Sequence, residues 1–267
     1  MSFPLGTSPS APALPVELSA RADLAAAFRW AAKLNLHEAV ANHFSVAVSN
    51  DGSQFLLNPR GRHFSRMTAS SLLLLDSHNV RSALDPGSAL DGGTLVHPEA
   101  DPTAWYLHAH LHKAVPRARC ILHTHMPYVT ALACLTDFEF LMLDQNACRF
   151  HNRIAYDRHY AGMALDDSEG ARVASLLADD KSVMFLGNHG VLVIGETVAE
   201  AFDELYYLEK AAQLQILALS TGRPLALVPE DVAALACKQW LEYPEIATLH
   251  LAELRRILDE EGSNYAE

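Results

Sequence analysis

The stretch CILHTHMPYVTAL, Cys120 to Leu132, carries an apolar run that ends in two histidines two residues apart. Side chains at i and i+2 of a strand point to the same face. A strand over ARCILHTH therefore projects His123 and His125 together, where strand gives way to loop. Such a pair is one half of a metal site or two plain surface histidines, and the spacing alone does not choose. A zinc site of the catalytic kind takes three protein ligands and leaves a position open. The third candidate is His189, in the run Gly187-Asn188-His189-Gly190. Flanking glycines let the backbone turn tightly and approach a neighbour, although a lone histidine there is equally a turn residue.

Working outward, PVELSARADLAAAFRWAAKLNL (Pro15 onward) has helical apolar spacing to about Asn35. HFSVAVSNDGSQFLLNP alternates, turns at Asn50-Asp51-Gly52 and alternates again, the pattern of a β-hairpin. SSLLLLDS reads as a buried strand, followed by loops through Pro102, and TAWYLHAHLHKAV reads as a helix closed by Pro116. GARVASLLADD is a helix preceded by an Asp166-x-x-Glu169 capping box. KSVMFLGNHGVLVIG is two short strands broken at the glycine-flanked histidine. A second box, Thr197-x-x-Glu200, opens the longest helix, with Phe202, Leu205, Leu208 and Leu214 on its apolar face. After a break at Gly222-Arg223-Pro224, a helical tail runs from Glu230 to about Glu260. Strands in the middle and helices outside make one α/β domain over residues 16–224 with a helical extension over 225–267. Residues 1–15, rich in Ser, Pro and Ala, read as a disordered arm, and the first twenty have no signal-peptide pattern.

Composition narrows the functional classes. Half of the 267 residues are hydrophobic, 19% are charged and the net charge is −12, which excludes the basic footprint that nucleic acid requires. No apolar run reaches the roughly 18 residues of a membrane span. Cys120, Cys134, Cys148 and Cys237 are far apart without a CxxC and read as reduced packing residues of a cytoplasmic protein.

Taken in order, NHFSVAV, FLLNPRGRHFSRMTASSLLLLD, ILHTHMPYVTAL and NHGVLVIGETVAEAFDELYYLEKAAQ resemble the class II aldolase/adducin family from about Ala20 to Leu219. The resemblance implies a single α/β/α domain with a central, mainly antiparallel sheet flanked by helices. It implies a divalent metal, usually zinc, on His123, His125 and His189, and a homo-oligomer, commonly a tetramer, in carbohydrate metabolism. The chain also departs from the family. Where the sugar-phosphate aldolases carry a proton-transferring glutamate after two serines, this sequence has Pro102, Thr103 and Ala104, and a methyl group moves no proton. His43 stands where those enzymes use an asparagine in phosphate binding. Gly61 still matches the turn beside the phosphate, and Arg60 could hold an anion bidentately. Substrate-binding candidates are therefore His43, Arg60, Gly61 and Thr103, for a carboxylate or polar group as readily as a phosphate.

A replacement proton carrier can be sought in WYLHAHLHKAV, where His108 and His112 share a helical face with Ala104 and His110 faces away to the surface. Gln145 and Asn146 are candidates for the cleft wall or for core-edge hydrogen bonds; Tyr206, Tyr207 and Glu209 lie on the long helix, and the resemblance implies that a tyrosine there can complete a neighbouring subunit's site. His37, His63, His78, His97, His151, His159 and His250 read as surface residues. The expected activity is metal-dependent lyase chemistry on a small hydroxy- or keto-acid or sugar-derived substrate, by aldol cleavage or decarboxylation through a metal-stabilised enediolate. The competing expectation is an adducin-like interaction protein that keeps a structural metal.

Overall fold

The computed structural model describes residues 16–78, 99–160, 162–165, 167–177, 180–243 and 245–267. The arm over 1–15, His97 and the Asp166 end of the first capping box lie outside them. Seven strands, β1 (His43–Ala47), β2 (Gln54–Leu57), β3 (Leu73–Asp76), β4 (Cys120–Thr124), β5 (Ile154–Asp157), β6 (Val183–Leu186) and β7 (Gly190–Gly195), form one sheet of order β3-β2-β1-β4-β7-β6-β5. Every pairing is antiparallel except β5 with β6. The helices are α1 (Val16–Lys33), α2 (Pro102–Ala114), α3 (Pro127–Ala133), α4 (Asp167–Leu176), α5 (Val198–Ser220), α6 (Glu230–Leu241) and α7 (Glu245–Glu260).

Alternation along the central strands sorts the core into two layers. Cys120 and Leu122 of β4 face one side with Val191 and Val193 of β7, and are covered by residues of α1, α3, α5 and α7. Ile121, Leu192 and Ile194 face the other side, under Leu107 and Leu111 of α2 and Val173 and Ala174 of α4. His123 shares the Ile121 face by the same period of two. The hairpin turn lies where the Asn-Asp-Gly run predicts it, with Gly52 at φ +73°.

Several local expectations change in three dimensions. β3 is an edge strand rather than a buried one, since Leu75 is buried while Leu74 is 44% exposed. At α5, Thr197 Oγ1 accepts from the Glu200 N–H at 3.1 Å, but the Glu200 carboxylate accepts from the N–H of Glu196 instead of closing the box on Thr197. Leu214 points outward, and Ala211, Ala212 and Gln215 line the buried stripe in its place. The expected helical tail is formed by α6 and α7. Arg149 lies between the rings of Tyr207 and Trp240 (4.2 and 4.5 Å to their centroids) and pairs with buried Asp203, fastening α6 to α5. His250 reaches the other Asp203 oxygen at 2.7 Å and holds α7 to the same carboxylate, so it is a clamp rather than a free surface residue. The cysteines are all free, three buried and Cys134 exposed.

Candidate metal centre

The end of β4 and the turn between β6 and β7 bring His123, His125 and His189 together. One ligand nitrogen from each lies within 4.8 Å of the others, and the His189 ring centroid is 4.7 Å from that of His123 and 4.8 Å from that of His125. Gly190 makes the approach possible, because a Cβ there would sit 2.5 Å from the Thr124 carbonyl oxygen and 2.7 Å from His125 Cδ2. Asn188, at φ +54°, turns the chain and donates its N–H to the Ala133 carbonyl.

The hydrogen bonds behind the rings fix their tautomers. His123 Nδ1 lies 3.0 Å from the Val191 carbonyl oxygen, and His125 Nδ1 lies 2.6 Å from Glu38 Oε2. Both partners accept only, so both Nδ1 atoms carry the proton. The two Nε2 atoms, 3.3 Å apart, are then bare lone pairs facing each other. Burial first, then the neighbouring imidazoles, pushes His123 well below 6.5, and burial with His125 lowers His189 to about 4. Three imidazoles converging in this way are the donor set of a borderline divalent ion such as zinc, and a cation between them removes the repulsion of facing lone pairs. The residues fit the group.

Glu38 was not singled out from the sequence; it sits in the connection after α1, where no pattern marks it. Asn42 Oδ1 accepts the Glu38 N–H at 2.6 Å and the His125 N–H at 3.5 Å, so the carboxylate and its histidine are held on one frame. A carboxylate behind a ligand imidazole typically carries 10–100-fold in metal affinity. Glu38→Gln is expected to weaken zinc binding by roughly that factor, read by competition with a chromogenic chelator. An unchanged affinity would show that the 2.6 Å contact contributes nothing.

A recess of 560 Å³ opens beside His125 and His189, lined also by His37, Glu38, Thr130 and Asn188. His37 Nδ1 and Thr130 Oγ1 are buried there without a hydrogen-bond partner among the described residues. His63 Nδ1 accepts the Ser65 N–H and its Nε2 lies 3.1 Å from His37 Nε2, which leaves His37 Nδ1 as the N–H donor. His37 and His63, read from the sequence as plain surface residues, thus join this recess to a second one of 470 Å³. Arg60, Gly61, Arg62, His63 and Arg66 line that second recess.

The other candidates fall as follows. His43 is the cross-strand partner of His123, with ring centroids 4.7 Å apart. Thr103 donates its hydroxyl to Asp101, the cap of α2, and lines neither recess. Ala104 is fully buried in an apolar cluster with Phe55 and Trp105. His108 and His112 are also buried, behind His43 and Ser45, while His110 pairs with Asp167 near the surface. Gln145 lines a recess against α6, away from the triad. Glu209 accepts the N–H groups of Tyr128 and Val129, both at 2.9 Å, and so seats the start of α3 beside the centre.

Residues 22–216 match the model of the Class II Aldolase and Adducin N-terminal domain. An aldolase II superfamily protein from Pseudomonas syringae is 32% identical, with a TM-score of 0.80 over 96% of this chain and 98% of that one. An L-fuculose 1-phosphate aldolase from Glaciozyma antarctica PI12 shares the fold at 24% identity, with a TM-score of 0.75 over 97% of both chains. Human beta-adducin is 29% identical over 180 residues, which are 67% of this chain and 23% of that protein.

Proposed function

Because the chain belongs to the class II aldolase and adducin family, we propose that it is a metal-dependent lyase that cleaves a carbon–carbon bond in a small hydroxy- or keto-acid or sugar-derived molecule. The observation that carries this reading is the convergence of His123, His125 and His189, the last two of which line an open recess. A divalent ion held there, zinc by its donor set, supplies a Lewis acid for carbonyl and hydroxyl oxygens.

The chain's own residues supply the rest. Glu38 holds His125 in its metal-facing tautomer. Thr130 and His37 line the same recess. Arg60, beside Gly61 in the adjoining recess, is placed to take a carboxylate by paired hydrogen bonds. The methyl group of Ala104 leaves no proton carrier at its position. Decarboxylation, which needs no base at the carbon being cleaved, fits that loss better than retro-aldol cleavage does. His108 and His112 touch the site only through His43 and Ser45, so any part they take in proton handling is relayed.

The same reading includes a cytoplasmic homo-oligomer, a tetramer by family likeness, which light scattering on the purified protein would measure. The second reading, an interaction module, draws on the likeness to beta-adducin. One experiment separates the two: metal content by mass spectrometry, followed by a turnover screen with 2-keto acids, 3-keto acids and aldol products on metal-loaded and metal-stripped protein. Turnover that follows metal content is expected. Stoichiometric metal with no turnover on any substrate would favour the interaction module.

A further inference from the structure

At the end of the sheet opposite the histidines, a cleft of about 280 Å³ lies between the strands and the C-terminal helices. β7 runs from Gly190, beside His125, to Gly195, which lines this cleft. Roughly 17 Å of strand, at about 3.4 Å per residue, therefore separates it from the metal centre. One wall is made by Trp240, Leu241, Ile246 and Ala247. These residues lie outside 22–216, the stretch that the family's domain covers. The facing wall comes from Ser182, the end of β7 and the first two turns of α5. Sites for drug-sized molecules run from roughly 300 to 1,000 Å³, so this cleft suits a smaller one.

Among the described residues, three arginines and four carboxylates line the cleft, and most of them satisfy one another. Arg149 pairs with Asp203, whose second oxygen is taken by His250. Arg153 Nη1 lies 2.6 Å from Glu204 Oε1, and Ser182 donates its hydroxyl to Glu204 Oε2 at 2.7 Å. Arg117 is engaged as well. Charged edges of both signs are left over. Arg153 also gives Nη1 to the Arg149 carbonyl, so its Nε and Nη2 have no hydrogen-bond partner among the described residues. Its side chain is 16% exposed and reaches solvent. Glu200 takes the Glu196 N–H on one oxygen at 3.0 Å. Its other oxygen and the Glu196 carboxylate have no such partner. Beside these edges lie the apolar side chains of Ile194, Leu241 and Ile246.

Such a lining discriminates against simple ligands. A plain anion meets Glu196 and Glu200, and a plain cation meets the guanidiniums. An apolar molecule takes water from both kinds of charge and replaces none of it. A molecule with both charges on a short frame and an apolar body matches all three parts of the wall. We propose that this cleft binds a free α-amino acid with an aliphatic side chain. Its carboxylate lies on the open edge of Arg153, its ammonium on Glu200 and its side chain against Leu241 and Ile246. The site is independent of the metal centre and of the lyase reading. Its occupant bridges α5 and the C-terminal helices, adding to the hold that Arg149 and His250 have through Asp203.

The test is calorimetric titration of the full-length, metal-loaded protein with three probes. They are L-leucine, 4-methylpentanoate, which lacks the ammonium, and 3-methylbutylamine, which lacks the carboxylate. Each truncated probe is expected to bind at least about tenfold more weakly than leucine, the loss of one charge-assisted hydrogen bond. Glu200→Gln keeps an oxygen for the Glu196 N–H and removes the charge. It should erase leucine's advantage over 4-methylpentanoate. Arg153→Gln should erase the advantage over 3-methylbutylamine; if losing the pair with Glu204 unfolds that variant, Glu200→Gln carries the test alone. An amino acid also chelates zinc through nitrogen and oxygen, so the leucine titration is repeated on metal-stripped protein, where its affinity should be unchanged. Binding lost with the metal would place leucine on the ion and overturn the proposal. So would no leucine binding, equal binding of a truncated probe, or a full preference kept in Glu200→Gln. None of these outcomes bears on the metal and turnover assays of the lyase reading.

Discussion

His123→Ala is expected to take the purified protein from a single tightly held divalent ion to none at equimolar metal. Of the three ligands, His123 is the one the fold holds most firmly. It sits on the central strand β4 between β1 and β7, is 2% exposed, and has its tautomer set by the Val191 carbonyl. Removing it leaves His125 and His189, one on a loop and one in a turn, with no strand between them to keep two lone pairs aligned. Two ligands do not make the three-ligand site that catalytic zinc requires. The fold should survive, because the lost ring leaves a space at the open end of the sheet rather than in either apolar layer. Mass spectrometry for bound metal, with His110→Ala as the control, is the direct measurement. His110 pairs with Asp167 away from the centre, and that variant should keep its ion. Retained stoichiometric metal in His123→Ala would remove the triad from the metal assignment.

What made this centre readable from sequence was periodicity. A period of two puts His123 and His125 on one face whatever the fold, and glycine beside His189 announces a close approach that the Gly190 geometry requires. The family motifs supplied the pairing of those distant segments; no local rule joins His125 to His189. The helices and hairpin with regular apolar spacing were legible for the same reason. Short elements were not. β5 is only Ile154–Asp157 and its flanks are polar, so it shows no alternation long enough to stand out, and its parallel pairing with β6 is a tertiary fact. α3 follows directly on the histidine pair and is seven residues long, seated by Glu209 from a helix some eighty positions later. Glu38, Asn42, Thr130 and Ser45 act through contacts across the fold. A carboxylate in a connection or a serine in a strand carries no mark of its partner. Ala104 shows a mixed case, where the departure from the family motif is plain in the sequence while its burial beside Phe55 and Trp105 is a tertiary fact.

The second large effect is acid unfolding. His43, His108 and His112 are nearly or fully buried and held neutral by burial, His43 and His112 down to about 3. Their folded pKa values lie below the unfolded value near 6.5. As pH falls, the unfolded chain therefore takes up protons first, and the stability these rings allow is complete above 6.5 and lost on the way down towards 3. Each contributes a slope of about 1.4 kcal/mol per pH unit inside that window. Glu209 works in the opposite sense. Burial raises it to about 7, against the two N–H groups that favour its charge, so its folded pKa exceeds the unfolded value. It adds stability as pH falls from 7 towards 4.5, at about the same 1.4 kcal/mol per unit. Three rings against one carboxylate leave a net loss of about 2.7 kcal/mol per pH unit between 6 and 5. Two such units amount to a large share of the roughly 5–15 kcal/mol that holds a domain folded. In metal-free protein, His123 and His189 steepen the slope further, since both are depressed as well. Urea midpoints followed by circular dichroism from pH 7 to pH 5 would give the slope directly. His112→Phe, which removes one titrating ring, should flatten it by about 1.4 kcal/mol per unit. A stability that stays level across that range would mean that the buried histidines titrate in the folded protein as they do in the unfolded chain.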